Sequence, residues 1–237
     1  MFKYKLIALD LDGTLLDNNQ EIAEKNLHWI KKAEQAGLLV SFATGRGRSS
    51  SERYWSAVSP KSPMVMANGS EVWKNHREIL SRHVLPEDQV ARLIDVAKEH
   101  GARYWTIGLD AEGSGDRMKV GMHHDDIETI SKLRDLVTAS GEFEVSGSAP
   151  TNIEINPKGV SKAAGLAEAI ALLGIAPSEV VAVGDSRNDL AMLKWAGLGI
   201  AMDNAEPIVK EAADDVTASN EEDGVAQVIR LVLEQVG

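Results

Sequence analysis

The chain has 237 residues, enough for a sizeable core and a second small unit, and its 43% apolar content is that of an ordinary globular protein. With 25 basic against 36 acidic side chains the formal charge is −11, which argues against nucleic acid and anionic membrane as partners. There is no cysteine, so disulfides and thiolate metal sites are excluded, and no apolar run reaches the length of a signal-peptide core or a membrane span; the expectation is a soluble cytoplasmic protein, monomer or homodimer.

The first apolar run, Leu6-Ile7-Ala8-Leu9, is short, continuous and closed by Asp10, which reads as a buried strand of a parallel sheet. Ile22, Leu27, Ile30 and Ala33 fall near helical spacing, with Gly37 as C-cap. Leu38 to Ala43 reads as a second strand ending at Thr44-Gly45-Arg46. The segment up to Val58 is expected to be helical, and Met64 to Ala67 is a third strand ending at Asn68-Gly69. The middle changes order. A helix marked by Val90, Leu93, Ile94 and Ala97 precedes paired strands at Arg103 to Leu109 and Arg117 to Met122, around a turn at Glu112-Gly113-Ser114-Gly115. A second helix, marked by Ile127, Ile130, Leu133, Leu136 and Val137, precedes strands at Glu142 to Val145 and Thr151 to Ile155. Helix-strand-strand, twice over, predicts a small α+β module at residues 82–155 inserted into a core of residues 1–81 and 156–237. The alternation then resumes: helix Ser161 to Leu173, strand Val180 to Val183, helix Asp189 to Trp195, strand Leu198 to Ala201, helix Glu206 to Ala213, and a closing amphipathic helix on Val225, Val228, Ile229, Val232 and Val236. This is the pattern of a doubly wound, mostly parallel, Rossmann-like α/β sheet.

Asp10-Leu11-Asp12-Gly13-Thr14 leaves the C-terminal end of the first strand, the edge at which open α/β sheets bind ligands. Two carboxylates there cannot both be buried as anions without a cation, so a hard, oxygen-seeking metal such as Mg²⁺ is expected. One carboxylate can attack phosphorus while the other exchanges a proton with the leaving oxygen and with water. An isolated Asp-x-Asp is more often a polar turn; this string, after that strand, is not.

The same five residues resemble the first motif of the haloacid dehalogenase superfamily of phosphohydrolases. Three further motifs of that family appear in order. Thr44-Gly45-Arg46 resembles the second, in which the hydroxyl and backbone amides bind phosphate. Lys162, at the start of a helix, resembles the third, its Gly-x-x-Lys spacing fitting better than that of its rival Lys158. Gly184-Asp185-Ser186-Arg187-Asn188-Asp189 resembles the acidic fourth. The resemblance implies Asp10 as nucleophile, Asp12 as acid and base, and Mg²⁺ on the Asp10 and Asp185 carboxylates and the Asp12 backbone carbonyl, with Asp189 acting through water or as an orienting group. Thr44, Gly45, Lys162 and Asn188 would bind the phosphoryl group. An inserted module after Asn68-Gly69 is similar to the type II cap of the Cof-like subgroup, and its short length to that of the phosphoglycolate phosphatases. The implied substrate is a small phosphorylated metabolite, phosphoglycolate or a sugar phosphate.

Arg117, Lys119, His123 and Asn152 are the candidate readers of the leaving group. His123-His124-Asp125-Asp126 invites a metal reading, but a capped helix start accounts for it. Trp29, Trp55, Trp73, Trp105 and Trp195 are read as core or interface anchors rather than ligand platforms, and Trp73 and the pair Met64 and Met66 as packing. Two rivals stand beside the phosphatase. One is a phosphomutase of the same superfamily, which would need a sugar bisphosphate. The other is a phosphoacceptor receiver domain, which would lack the role given to Asp12 and accumulate a long-lived phosphoprotein.

Overall fold

The computed structural model describes residues 3–108 and 116–234; Leu109, the turn expected at residues 112–115, and Val236 lie outside the described residues. In chain order the first elements are β1 (Leu6–Leu9), α1 (Glu24–Gln35), β2 (Leu39–Ala43), α2 (Arg48–Ser51), β3 (Met64–Met66), β4 (Glu71–Asn75) and β5 (Glu78–Arg82). Next come α3 (Glu87–Glu99), β6 (Arg103–Gly108), β7 (Arg117–His123), α4 (Ile127–Ala139), β8 (Phe143–Ser146) and β9 (Asn152–Pro157). The last are α5 (Lys162–Ala171), β10 (Val180–Gly184), α6 (Leu190–Trp195), β11 (Leu198–Ala201), α7 (Pro207–Ala212), β12 (Asp215–Val216) and α8 (Gly224–Glu234).

An eight-stranded sheet runs β12-β11-β10-β1-β2-β3-β4-β5, parallel from β12 to β3 and antiparallel beyond. Strand β1 lies at its centre, and its alternate residues feed two cores. Ile7 and Leu9 pack with Val40, Phe42 and α8 on one face, while Leu6 and Ala8 pack with Leu166, Ile170 and Met192 on the other. Burial on both faces is why these strands read as unbroken apolar runs.

Residues 71–82 carried no strand expectation, yet form a hairpin, β4–β5, at the sheet edge. Its strands mix Glu71, Lys74, Glu78 and Arg82 with Val72, Trp73 and Ile79, and β5 is only half covered, so no clean alternation marks it. Arg82 therefore belongs to the large sheet, not to the inserted segment. The helix expected up to Val58 is also cut short. Only Arg48–Ser51 is α-helical, followed by a 3₁₀ stretch at Glu52–Ala57. Ser50 and Ser51 hydroxyls donate to the Gly47 carbonyl at 3.1 and 3.0 Å, the backbone competition that makes serine a poor helix former.

Residues 87–108 and 116–157 carry a second, four-stranded antiparallel sheet, ordered β6-β7-β9-β8. Helices α3 and α4 cover one face, where Leu93, Ala97, Ile130 and Leu133 meet Val120, Met122, Ile153 and Ile155. The pleat sends the intervening residues to the other face. Trp105, Gly121 and Glu154 stand opposite one another across β6, β7 and β9, with Ile107 and Lys119 two residues along. Among the described residues no helix is long and apolar enough to cross a membrane.

Candidate active site

The parallel register aligns the C-terminal ends of β1, β2 and β10, so Asp10, Thr44 and Asp185 leave the sheet side by side. The Asp10 amide donates to the Val183 carbonyl at 3.0 Å, and the chain then turns sharply through Gly13 at φ +75°. A Cβ at Gly13 would lie 2.5 Å from Asp185 Oδ2, so both conformation and space require glycine there. Thr14 Oγ1 donates to Asp185 Oδ1 at 3.0 Å and holds that carboxylate beside the turn.

Lys162 is fully buried, and its Nζ lies 2.5 Å from Asp10 Oδ1 and 2.7 Å from Asp189 Oδ1. Ser161 caps the helix that begins with Lys162 by accepting from the Ala164 amide at 3.2 Å. Lys158 is exposed. Burial weighs against charge on Lys162, but Asp10 and Asp189 outweigh it and hold the ammonium form above its ordinary range. Asp189 is spoken for at both oxygens. Oδ1 takes Lys162, while Oδ2 accepts from the amides of Asp185 and Ser186, each at 3.0 Å, and so shapes the loop that carries Asp185.

Carboxylate oxygens of Asp10, Asp185 and Asp189 lie within 4.8 Å of one another. Three carboxylates face one ammonium here. Burial raises the Asp10 carboxyl well above its usual range; Lys162 opposes this, and the charges of Asp189 and Asp185 add to it. Burial and the Asp189 charge push Asp185 up to about 7, against the bond from Thr14. Crowded, desolvated carboxylates made only of hard oxygen donors suit a divalent cation. The proton on Asp185 competes with that cation. Divalent-cation affinity is therefore expected to fall about ten-fold per unit below pH 7 and to level off above it, which calorimetric titration from pH 5.5 to 8.5 checks. The metal-free protein moves the opposite way. The folded value lies above the unfolded 3.8, so this group adds stability as the pH falls from about 7 towards 4.

Asp12 points elsewhere. Arg46 Nε and Nη2 grip its two oxygens at 2.7 and 2.5 Å, and Gln20 Oε1 accepts from the same guanidinium. That hydrogen bond, with its charge, raises the Arg46 value despite partial burial. Thr44 is buried, and its hydroxyl accepts from the Arg46 amide at 3.1 Å, so the Thr44-Gly45-Arg46 turn positions Asp12 as well as itself. After β3 the chain passes through three successive left-handed residues, Ala67 at φ 49°, Asn68 at 57° and Gly69 at 100°. Such a conformation costs on the order of 1 kcal/mol at Ala67. It turns Asn68 to donate to Glu154 Oε2 at 2.7 Å and to accept from Asn188 Nδ2 at 3.3 Å.

A cavity of about 410 Å³ lies between the two sheets, with Asp10, Asp12, Gly45 and Asn188 on one side and Trp105, Lys119 and Glu154 on the other. Lys119 and Glu154 form a buried pair at 3.0 Å, and Lys119 also donates to the Gly45 carbonyl at 2.6 Å. Burial lowers Lys119 despite Glu154; burial acts to raise Glu154, but Lys119 and Asn68 bring it below its usual range.

Of the four candidate readers, Lys119 alone lines this cavity. Asn152 shapes the next loop instead, its Oδ1 accepting from the Ser148 amide at 2.9 Å, and His123 pairs with Asp125 at 3.0 Å. Arg117 lies beside Leu85 at a lone bridge. Asp126 caps α4, accepting from the amides of Glu128 and Thr129. Among the described residues, His123 to Asp126 belong to no metal-binding group. Trp55, Trp73, Met64 and Met66 are buried in the core. Trp105 lies outside the buried core: it is 37% exposed and lines the cavity. Arg46, Thr14, Glu154 and Trp105 were not singled out as site residues. Arg46 and Thr14 sit inside the motifs, and strict alternation along β6, β7 and β9 was the signal for the other two.

The family profile of the haloacid dehalogenase-like hydrolases matches residues 7–113 and 115–229. The chain is 37% identical over 235 residues to 5-amino-6-(5-phospho-D-ribitylamino)uracil phosphatase YcsE of Bacillus subtilis, covering 95% of this chain and 94% of that protein. It is 30% identical over 232 residues to the phosphoglycolate phosphatase of Methanopyrus kandleri, covering 98% of each. The crystal structure of a haloacid dehalogenase-like hydrolase from Bacteroides thetaiotaomicron superposes with a TM-score of 0.81 at 28% identity, covering 97% of this chain and 100% of that one.

Proposed function

The chain belongs to the haloacid dehalogenase-like hydrolases and is a phosphatase, and from that premise we propose that it hydrolyses a small phosphorylated metabolite with Mg²⁺, through a phosphoryl group carried on Asp10. The observation that carries this reading is the buried triad of Asp10, Lys162 and Asp189 beside Asp185. Residues 1–81 and 156–237 are the catalytic core in this proposal, and residues 82–155, with their edges moved by Arg82 and Pro157, are the cap that closes on the leaving group.

Asp10 and Asp185 would hold Mg²⁺, with Asp189 fixing the Asp185 loop. When bound, the ion supplies positive charge against the phosphoryl oxygens. An Asp10 oxygen attacks phosphorus, and the bond from phosphorus to the leaving oxygen breaks. Asp12 gives that oxygen its proton, once one of its own oxygens has left the Arg46 clamp. Asp12 then takes a proton from water, the water oxygen bonds to phosphorus, and the bond to Asp10 breaks. Lys162, the Thr44 hydroxyl and the Gly45 amide offset charge on the phosphoryl oxygens, the Thr44 amide being held by the Val65 carbonyl. Asn188, which lines the cavity, would donate to them through the Nδ2 hydrogen that its bond to Asn68 leaves over.

A cavity of about 410 Å³ suits a sugar or sugar-alcohol phosphate better than phosphoglycolate, whose short leaving group would leave most of the cap wall untouched. The substrate named for the Bacillus subtilis relative joins a phosphorylated ribityl chain to a uracil ring, and it is the first compound to assay.

The test uses p-nitrophenyl phosphate, whose leaving group needs no acid. Asp12→Ala is expected to give a stoichiometric burst of nitrophenol followed by turnover slowed about 10²- to 10⁴-fold, with acid-stable phosphate on Asp10. A mutase would instead require a sugar bisphosphate. A burst in the wild-type chain, with slow decay, would favour the receiver reading. Unchanged steady turnover in the Asp12 variant would overturn the role given to it.

A further inference from the structure

We propose that Trp105 is a stacking platform, and that the natural leaving group ends in a flat, uncharged ring seated on it. This rests on the phosphatase reading above and adds what the cap recognises.

Trp105 differs from the other four tryptophans. Trp55 and Trp73 are buried and meet edge to face at 5.2 Å, while Trp29 and Trp195 pack against the two cores of the large sheet. Trp105 is the one that lines the cavity holding Asp10. Its place is prepared by the strand beside it. Gly121 stands opposite in the β6–β7 register, and a Cβ there would fall within the indole, so the ring lies over bare backbone. Ile107, on the same face, extends the apolar wall towards Gly47, where a Cβ would meet Ile107 Cγ2 at 3.0 Å. Aromatic area at 37% exposure inside a catalytic cavity loses little by hydration and gains by contact with a ring of matching flatness.

The charges around the wall point to a neutral ring. Among the described residues, the cations lining this cavity are Arg46 and Lys119. Arg46 is held by Asp12 and Gln20, and keeps one Asp12 oxygen and Gln20 when the other Asp12 oxygen turns to the leaving group, while Lys119 is held by Glu154 and the Gly45 carbonyl. Glu154 has its charge met by Lys119 on Oε1, and its Oε2 accepts from Asn68. A carboxylate on the leaving group, as in phosphoglycolate, would find its counter-charges already taken. A neutral heterocycle asks for none. The phosphate belongs at Asp10 and the ring at Trp105, so the two ends need a spacer, and a sugar or open polyol chain provides it.

Two compounds separate the ring from the rest: 5-amino-6-(5-phospho-D-ribitylamino)uracil, and ribitol 5-phosphate, which keeps the chain and phosphate but lacks the ring. The wild-type enzyme is expected to favour the ring-bearing compound in kcat/KM by about ten-fold or more, the usual scale of one base–aromatic stack. Trp105→Ala should bring that ratio towards one, chiefly by raising KM for the ring-bearing compound, and Trp105→Phe should keep most of it. Equal wild-type rates for the two compounds, or a Trp105→Ala loss that falls equally on both, would overturn the platform. Failure to hydrolyse either compound, with p-nitrophenyl phosphate still turned over, would overturn it and leave the phosphatase reading standing. Failure on all three in the presence of Mg²⁺ would bring down the phosphatase reading itself.

Discussion

Asp10→Asn is expected to lower Mg²⁺-dependent phosphate release by about 10⁴-fold or more while leaving the chain folded. The substitution is nearly isosteric, so the buried position stays filled. An amide oxygen is a poor nucleophile, and the attack that begins the reaction is lost. Stability should change little, because two effects oppose each other. Lys162 loses one of its two carboxylate partners, at 2.5 Å, but Asp10 no longer repels Asp185 and Asp189, whose charges help to push its own carboxyl upward. Phosphate release on p-nitrophenyl phosphate and a thermal unfolding curve, measured on one preparation, check both halves. Activity within ten-fold of wild type would remove Asp10 from the role of nucleophile.

The parts of the site that lie at strand ends were legible because the parallel strands are buried on both faces. Leu6 to Leu9 and Val180 to Val183 read as continuous apolar runs, and the polar residue that closes each run is thereby placed at the ligand-binding edge. What the sequence left open was pairing. Nothing local says that Arg46 turns back to grip Asp12, or that Thr14 reaches Asp185 across 171 residues. The β4–β5 hairpin stayed hidden for a different reason. An edge strand with one half-exposed face carries charges for solubility, and those charges erase the alternation that would have revealed it. The cap wall was nearly legible. Once Arg103 to Leu109 and Arg117 to Met122 are read as paired strands, alternation places Trp105, Ile107, Lys119 and Gly121 together on one face. Reading tryptophan by its commonest role hid that consequence.

Lys162→Met is expected to cost the metal-free protein about 3–5 kcal/mol of stability at pH 8, the scale found when one partner of a buried ion pair is removed. Methionine keeps much of the volume, so the loss reports charge rather than a void. The Lys162 side chain is fully buried and supplies the one ammonium within hydrogen-bonding reach of Asp10 and Asp189 among the described residues. Without it the two carboxylates share a desolvated space with Asp185. Asp10 loses the ammonium that opposes its burial, so its folded pKa must rise further above the unfolded one and the sign of the pH dependence is fixed: the deficit is largest above neutrality and shrinks as the pH falls towards 5 and the Asp10 carboxyl takes up a proton. Mg²⁺ restores positive charge to the same cluster. Its stabilising effect should therefore be larger in the variant than in the wild-type chain, even though catalysis, which needs Lys162 against the phosphoryl oxygens, stays depressed by about 10²- to 10³-fold. Denaturant unfolding at pH 8 and pH 5, with and without Mg²⁺, separates these effects. Equal stability of the two proteins at pH 8 without metal would mean that the cluster is already protonated there, and that the charge excess argued for the cation site does not exist.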